Sequence, residues 1–172
     1  QFKDLVVEFI YDGTAKYPTY TVPDGVTVME MGDRGVEAGT YDFTLSVSSN
    51  NYDGYYFGQY VITKAKTTVT LPDYELTFDQ VKNFEPTEYT VTEGFDKALL
   101  GDVTLVKPNI SGAGEYQITV EYTNVNNVTA SVLGGKITVT QSTFNPDDLV
   151  IEDVIATFGD RLGDIELSEH GS

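Results

Sequence analysis

The sequence predicts an all-β protein, built as tandem small β-sandwich domains arranged end to end. Three observations carry that expectation. Short runs alternate apolar and polar residues with a period of two. Gly, Asn, Asp and Pro punctuate the runs. One arrangement of runs occurs twice, about 75 residues apart. The composition agrees, since 12 Tyr and 9 Phe accompany plentiful Thr and Val, residues suited to pleated, half-buried surfaces. No segment sustains a helical period.

The clearest run is Thr40 to Val47. Tyr41, Phe43, Leu45 and Val47 fall on one face, and Thr40, Asp42, Thr44 and Ser46 on the other. Ser48-Ser49-Asn50-Asn51 ends the run as a turn. A second strand follows, with Tyr60 and Ile62 toward the core. The plan returns from Glu115 to Tyr122, where Tyr116, Ile118, Val120 and Tyr122 alternate with Glu115, Gln117, Thr119 and Glu121. The loop Asn124-Val125-Asn126-Asn127 comes next, then a strand carrying Ile137 and Val139. Ala38-Gly39-Thr40-Tyr41 thus aligns with Ala113-Gly114-Glu115-Tyr116.

The expected domains are residues 1–66, residues 67–143 and a remainder, 144–172. A chain of 172 residues, 40% hydrophobic, suffices for two small cores. No Gly/Ser linker separates Ile62-Thr63-Lys64-Ala65-Lys66 from Thr67-Thr68-Val69-Thr70, so the junction is expected to be stiff. Asn145-Pro146-Asp147-Asp148 breaks the pattern again. The remainder holds strand signals at Leu149-Val150-Ile151 and Ile165-Glu166-Leu167 but is too short for its own core. It reads as the truncated start of a third repeat, or as strands docking on the second.

Lys+Arg number 10 and Asp+Glu 27, a formal net charge of -17. Such a surface repels phosphate backbones and anionic headgroups, so neither nucleic acid nor a membrane surface is an expected partner. Solubility is the simpler reading of the acidity. With no cysteine, thiolate catalysis, disulfides and cysteine-based zinc sites are excluded. No apolar run approaches the roughly 18 residues that membrane insertion requires, and no signal-peptide pattern begins at Gln1.

The residues before the long strand are specific. Glu37-Ala38-Gly39-Thr40-Tyr41-Asp42-Phe43 resembles the tyrosine corner of immunoglobulin-like folds, in which a Tyr buries its ring and hydrogen-bonds the corner backbone. Phe43 stands where those folds often carry a cysteine. Gly112-Ala113-Gly114-Glu115-Tyr116-Gln117-Ile118 repeats the motif without the acidic residue, with Ile118 at the cysteine position. Each domain is therefore expected to be an immunoglobulin-like sandwich. The wider sequence is similar to the MBG-type repeats of bacterial surface adhesins. In the first unit the resemblance rests on Tyr11-Asp12-Gly13-Thr14-Ala15-Lys16, the Glu37 to Tyr41 motif and Ile62-Thr63-Lys64-Ala65. In the second it rests on Leu76-Thr77-Phe78-Asp79, Glu88-Tyr89-Thr90-Val91, Gly101-Asp102 and Gly134-Gly135-Lys136-Ile137-Thr138-Val139. The usual Tyr-Gly-Asp of this subtype is replaced by Phe78-Asp79-Gln80. Ala156-Thr157-Phe158-Gly159-Asp160 followed by Leu162-Gly163-Asp164-Ile165 looks like the start of another such repeat. The resemblance implies an extracellular, cell-surface or cell-wall location in a bacterium and neighbouring repeats as partners. Some relatives adhere to host surfaces or mucus, and others are spacers. Lys–Asn or Lys–Asp crosslinks also occur in bacterial surface sandwiches, which makes Lys3, Lys16, Lys64 and Lys82 potential donors.

No catalytic constellation is legible, and the expectation is that the chain is not an enzyme. His170, the single His, lies beside Gly171 and Ser172 and reads as a tail residue rather than a triad member. Gly112-Ala113-Gly114 precedes a strand, so it offers no helix N-terminus to a phosphate and reads as a turn. Carboxylates abound without any pair being singled out for glycoside hydrolysis. No cofactor is expected. Interdomain calcium at Asp147, Asp148, Glu152 and Asp153 is the alternative to turn acidity. The segment Asn50 to Phe57 has one binding reading: Tyr52, Asp53 and Tyr55 would stack on and hydrogen-bond a sugar. In the other reading its aromatics run into the core of the next strand.

The leading functional expectation is a non-catalytic stalk within an adhesin-like surface protein, projecting distal domains from the cell wall. The alternatives are a binding module for host glycans or mucin-type glycoproteins, and an accessory stalk of a secreted polysaccharide-degrading enzyme.

Overall fold

A computed structural model describes residues 2–51 and 53–142. The chain divides into two compact units, Gln1–Gln141 and Ser142–Ser172, and the described residues fall almost entirely in the first.

The protein is all-β. The first half holds β1 (Lys3–Val6), β2 (Glu8–Ile10), β3 (Thr19–Thr21), β4 (Thr27–Met31), β5 (Gly39–Ser48) and β6 (Asp53–Thr63). Lys64 alone separates β6 from β7 (Ala65–Leu71). Then come β8 (Tyr74–Thr77), the single helical turn α1 (Phe78–Val81) and β9 (Thr90–Val91). After a 3-10 turn at Lys97–Leu100 follow β10 (Val103–Val106), β11 (Gly114–Gln117), β12 (Thr119–Tyr122), β13 (Val128–Gly134) and β14 (Lys136–Thr140). The expected boundary between residues 66 and 67 falls inside β7.

The strands pair as one four-stranded sheet, β2-β6-β5-β4, two three-stranded sheets, β11-β14-β8 and β13-β7-β9, and the two-stranded sheets β1-β3 and β10-β12. The registers of the two halves correspond. Tyr41 faces Tyr60 across an antiparallel pair, as Tyr116 faces Ile137. Phe9 faces Ile62 across a parallel pair, as Leu76 faces Val139. Val28 faces Val47, as Val103 faces Tyr122. Sequence repetition therefore carries through to strand pairing.

Alternation decides which residues are buried. Phe43, Leu45, Tyr60 and Ile62 are core in the first half, and Ile118, Ile137 and Val139 in the second. Tyr41 donates its hydroxyl to the Glu37 carbonyl at 2.8 Å, and Tyr116 donates to the Gly112 carbonyl at 3.0 Å. Both motifs thus form the hydrogen-bonded corner that their sequences imply. Phe43 and Ile118, two residues beyond each corner Tyr, are buried by apolar packing. The Tyr60 hydroxyl is a hub with no counterpart at Ile137: it accepts from the Gly35 N–H at 2.6 Å and lies 2.9 Å from the Asp33 carbonyl.

The cores are not confined to the halves. One cluster joins Tyr11, Phe43, Tyr60 and Ile62 to Ala65, Val69, Leu100 and Val128. A second lies within the second half, around Leu71, Val81, Ile118, Ile137 and Val139.

Candidate functional site

Two features rise above general surface: the junction between the halves, and the far end of β6 with the cleft beside it.

The junction is built on the loop after β12. Asn124 donates its amide to the Leu99 carbonyl at 2.8 Å and to the Tyr11 hydroxyl at 3.2 Å. Asn127 is only 3% exposed. Its side-chain oxygen accepts from the Ala38 N–H at 2.7 Å, and its amide donates to Asn124 Oδ1 at 2.8 Å and to Glu37. Its carbonyl accepts from the Ala65 N–H at 2.9 Å. Lys64 donates to the Val125 carbonyl at 2.8 Å. A buried amide with every group paired fixes geometry, because a shifted partner would leave polar atoms dry and unpaired. The sequence marked residues 124–127 only as a turn. Nothing in a run of asparagines says that it will grip a corner about 90 residues upstream, and the buried Asn would be recognisable only from the repeat, as the turn that differs most from Ser48-Ser49-Asn50-Asn51.

The second feature contains the sugar-stacking candidates. Asp53 opens β6 and is exposed, and Tyr55 shares its face of the strand. Tyr52 lies outside the described residues. Tyr55 is 67% exposed and stacks on Phe57, itself 74% exposed, with centroids 6.2 Å apart and planes 24° from parallel. Across the sheet, Tyr55 faces Ser46, which faces Met29, and Phe57 faces Thr44, which faces Met31. The reading that sends these aromatics into the core therefore fails for Tyr55 and Phe57, and Tyr56 reaches only the core's margin, 39% exposed. Tyr56 turns inward, with its ring 5.5 Å from Phe2 and 5.9 Å from Phe43. The reason is parity: Phe43 and Tyr60 fix the inner face, and odd positions of β6 must point outward.

Beside Tyr56 lies a cleft of about 440 Å³ between the β1-β3 ribbon and the end of the β5-β6 hairpin, lined by Phe2, Leu5, Val22, Val47 and Tyr56 among others. This lining is apolar and aromatic and suits a greasy occupant. Neither it nor the aromatic face assembles a nucleophile with a base. The shifted titrations lie elsewhere and are structural. Asp12 is lowered to about 2 by hydrogen bonds from Lys16 and Thr14. Tyr20 is raised to about 12 by burial and by its bond to Glu30.

Among the described residues, no three His, Asp or Glu side chains converge as a metal site. The calcium candidates Asp147, Asp148, Glu152 and Asp153 lie outside the described residues, as does His170. Of the crosslink donors, Lys16 sits 2.5 Å from Asp12 Oδ2 in an exposed ion pair and Lys64 is held by a carbonyl.

Comparison with protein-family models, with curated proteins and with solved structures returned no match.

Proposed function

We propose that this chain is a non-catalytic stalk segment: tandem immunoglobulin-like sandwich repeats, of the kind found in MBG-type arrays, within an adhesin-like protein of a bacterial surface. Its task is to hold distal domains away from the cell wall. The buried junction at Asn127 is the observation that carries this reading. A flexible string of binding modules needs no paired, desolvated amide between its units, whereas a spacer must resist bending at each joint. The single-residue passage from β6 to β7 and the core cluster shared by both halves support it further.

A second reading has its own observation. The exposed pair Tyr55 and Phe57, beside the hydroxyls of Thr44 and Ser46, suits sugar stacking and favours a glycan-binding module.

One experiment separates the two. The chain is titrated against host glycans and mucin-type glycoproteins at two salt concentrations, beside an equally acidic control protein. The spacer reading expects no binding above the control. Saturable, salt-resistant binding lost in the Tyr55→Ala/Phe57→Ala double variant would replace it with the recognition reading.

A further inference from the structure

The outer face of the β2-β6-β5-β4 sheet carries large apolar groups in two adjacent rows. Tyr55, Ser46 and Met29 form one row across β6, β5 and β4, and Phe57, Thr44 and Met31 form the next. Met29 is 65% exposed and Met31 37%, beside the open rings of Tyr55 and Phe57. Neither row holds a charge, in a chain with 27 Asp and Glu against 10 Lys and Arg. Charge returns only at the two ends of the patch. On one side Asp53 opposes Ser48, which opposes Thr27, and on the other Asp42 opposes Gln59. Gln59 donates to Asp42 Oδ1 at 2.8 Å. An apolar patch with a polar rim marks a contact surface. A chain this acidic repels itself over most of its surface, so an uncharged patch is where two copies can meet.

The layout of the patch is self-complementary. Two faces that meet about a two-fold axis hold that axis in the plane between them, and each residue pair then occurs twice. An axis along β5 would set Asp42 against Asp42 of the other copy, two like charges. An axis across the strands, midway between the two rows, avoids this. It lays Tyr55 on Phe57 of the second copy, with β6 over β6, and Met29 on Met31, with β4 over β4. The small hydroxyls of Ser46 and Thr44 meet at the centre. At the ends Asp53 meets the Gln59 amide and Asp42 meets the Ser48 hydroxyl, so each carboxylate meets a donor. Sheets stacked in this way keep their strands within about 30° of alignment.

We infer that this face binds a second copy of the same chain, sheet on sheet, about the axis between the Tyr55 and Phe57 rows. The Asn127 junction takes no part. On the stalk reading, the contact holds two segments side by side with the strands of this sheet running in opposite directions.

At usual spacings, four rows across three strands cover about 27 Å by 14 Å. The two copies therefore bury on the order of 1,000 Å², at the low end of specific interfaces, and a Kd of about 10–100 μM is expected. Sedimentation of the full chain, without glycan, from micromolar to millimolar concentration reads it. Higher salt should tighten the dimer, because both copies are acidic. Phe57→Glu and Tyr55→Lys, both at exposed positions that spare the fold, should each weaken it by about tenfold or more. Mixed in equal amounts, the two variants should recover a dimer. Their opposite charges face each other at one contact, and the other contact keeps Tyr55 on Phe57. A chain that stays monomeric throughout overturns the inference, whether a glycan or another part of the chain then takes the face. A dimer indifferent to both variants overturns it, as does a mixture that recovers nothing. Glycan binding is not read here, so the pairing and the stalk can fail separately.

Discussion

The β5-β6 hairpin and its counterpart in the second half begin alike and end differently. β5 and β6 stay paired from Gly39 opposite Ile62 to Ser48 opposite Asp53. In the second half the same course is broken twice, at Ile118 and at Gly135. Beyond the breaks the two strands part: β12 joins β10, and β13 crosses to β7. The positions correspond, since Phe43 faces Gly58 where Ile118 donates to the Gly135 carbonyl at 2.9 Å. Glycine stands at both, but for different reasons. At Gly58 it makes room, because a Cβ would lie 2.7 Å from the Phe43 ring. At Gly134 and Gly135 it turns the chain, with φ of +75° and +81°. A repeat can thus keep its pattern and register while exchanging partners, if the backbone is free to turn at one point.

Substitution at these glycines should give the largest effect. Gly134→Ala combines a left-handed φ with a Cβ that collides with the Leu71 carbonyl oxygen. It should cost about 3 kcal/mol, since neither strain nor collision can be relieved without moving β7. Gly58→Ala meets only a ring edge and should cost about 1–2 kcal/mol. Urea denaturation of both variants checks the order, and a reversed order would mean that the sheet crossing is not anchored at Gly134.

A middle effect is expected at the hub. Tyr60→Phe keeps the ring stacked on Tyr41, whose centroid is 5.2 Å away, but strips the partner from the buried Gly35 N–H. The cost should be about 1–3 kcal/mol. Ile137→Val, at the matching position, removes a methylene and should cost about 1 kcal/mol. Equal costs would show that the hydroxyl hub adds nothing to the first half.

The smallest effect concerns the start of each half. Tyr11 to Lys16 forms a clip in which Asp12 accepts from the Thr14 N–H at 2.9 Å and from Lys16. At the matching place the second half makes α1, with the Thr77 N–H donating to Gln80 Oε1 at 2.9 Å. Because the folded pKa of Asp12 is depressed, its contribution is fully present above the ordinary carboxyl range and is lost as pH falls through about 2. The pair is exposed, so the loss should be slight. Carboxyl-carbon NMR should place the Asp12 midpoint near 2, and Lys16→Met should move it up. An ordinary midpoint in the unaltered chain would remove the clip.

The all-β class, the repeat, the inner faces of the long strands and both corner hydroxyls are legible in the residues alone. Each follows from a two-residue period or a local motif, which depend on nearby residues. The rest depends on contacts between distant residues. Parity says that Tyr55 points away from Phe43 and Tyr60, but the segment could be read as core until β6 was known to begin at Asp53 with its outer face uncovered. A turn of asparagines becomes a junction only when folding brings Asn127 to Glu37 and Ala38. Gly134-Gly135 becomes a crossing only because Leu71 lies against it. Periodicity fixes which side of a strand is buried and leaves the choice of partner to contacts between residues far apart in sequence.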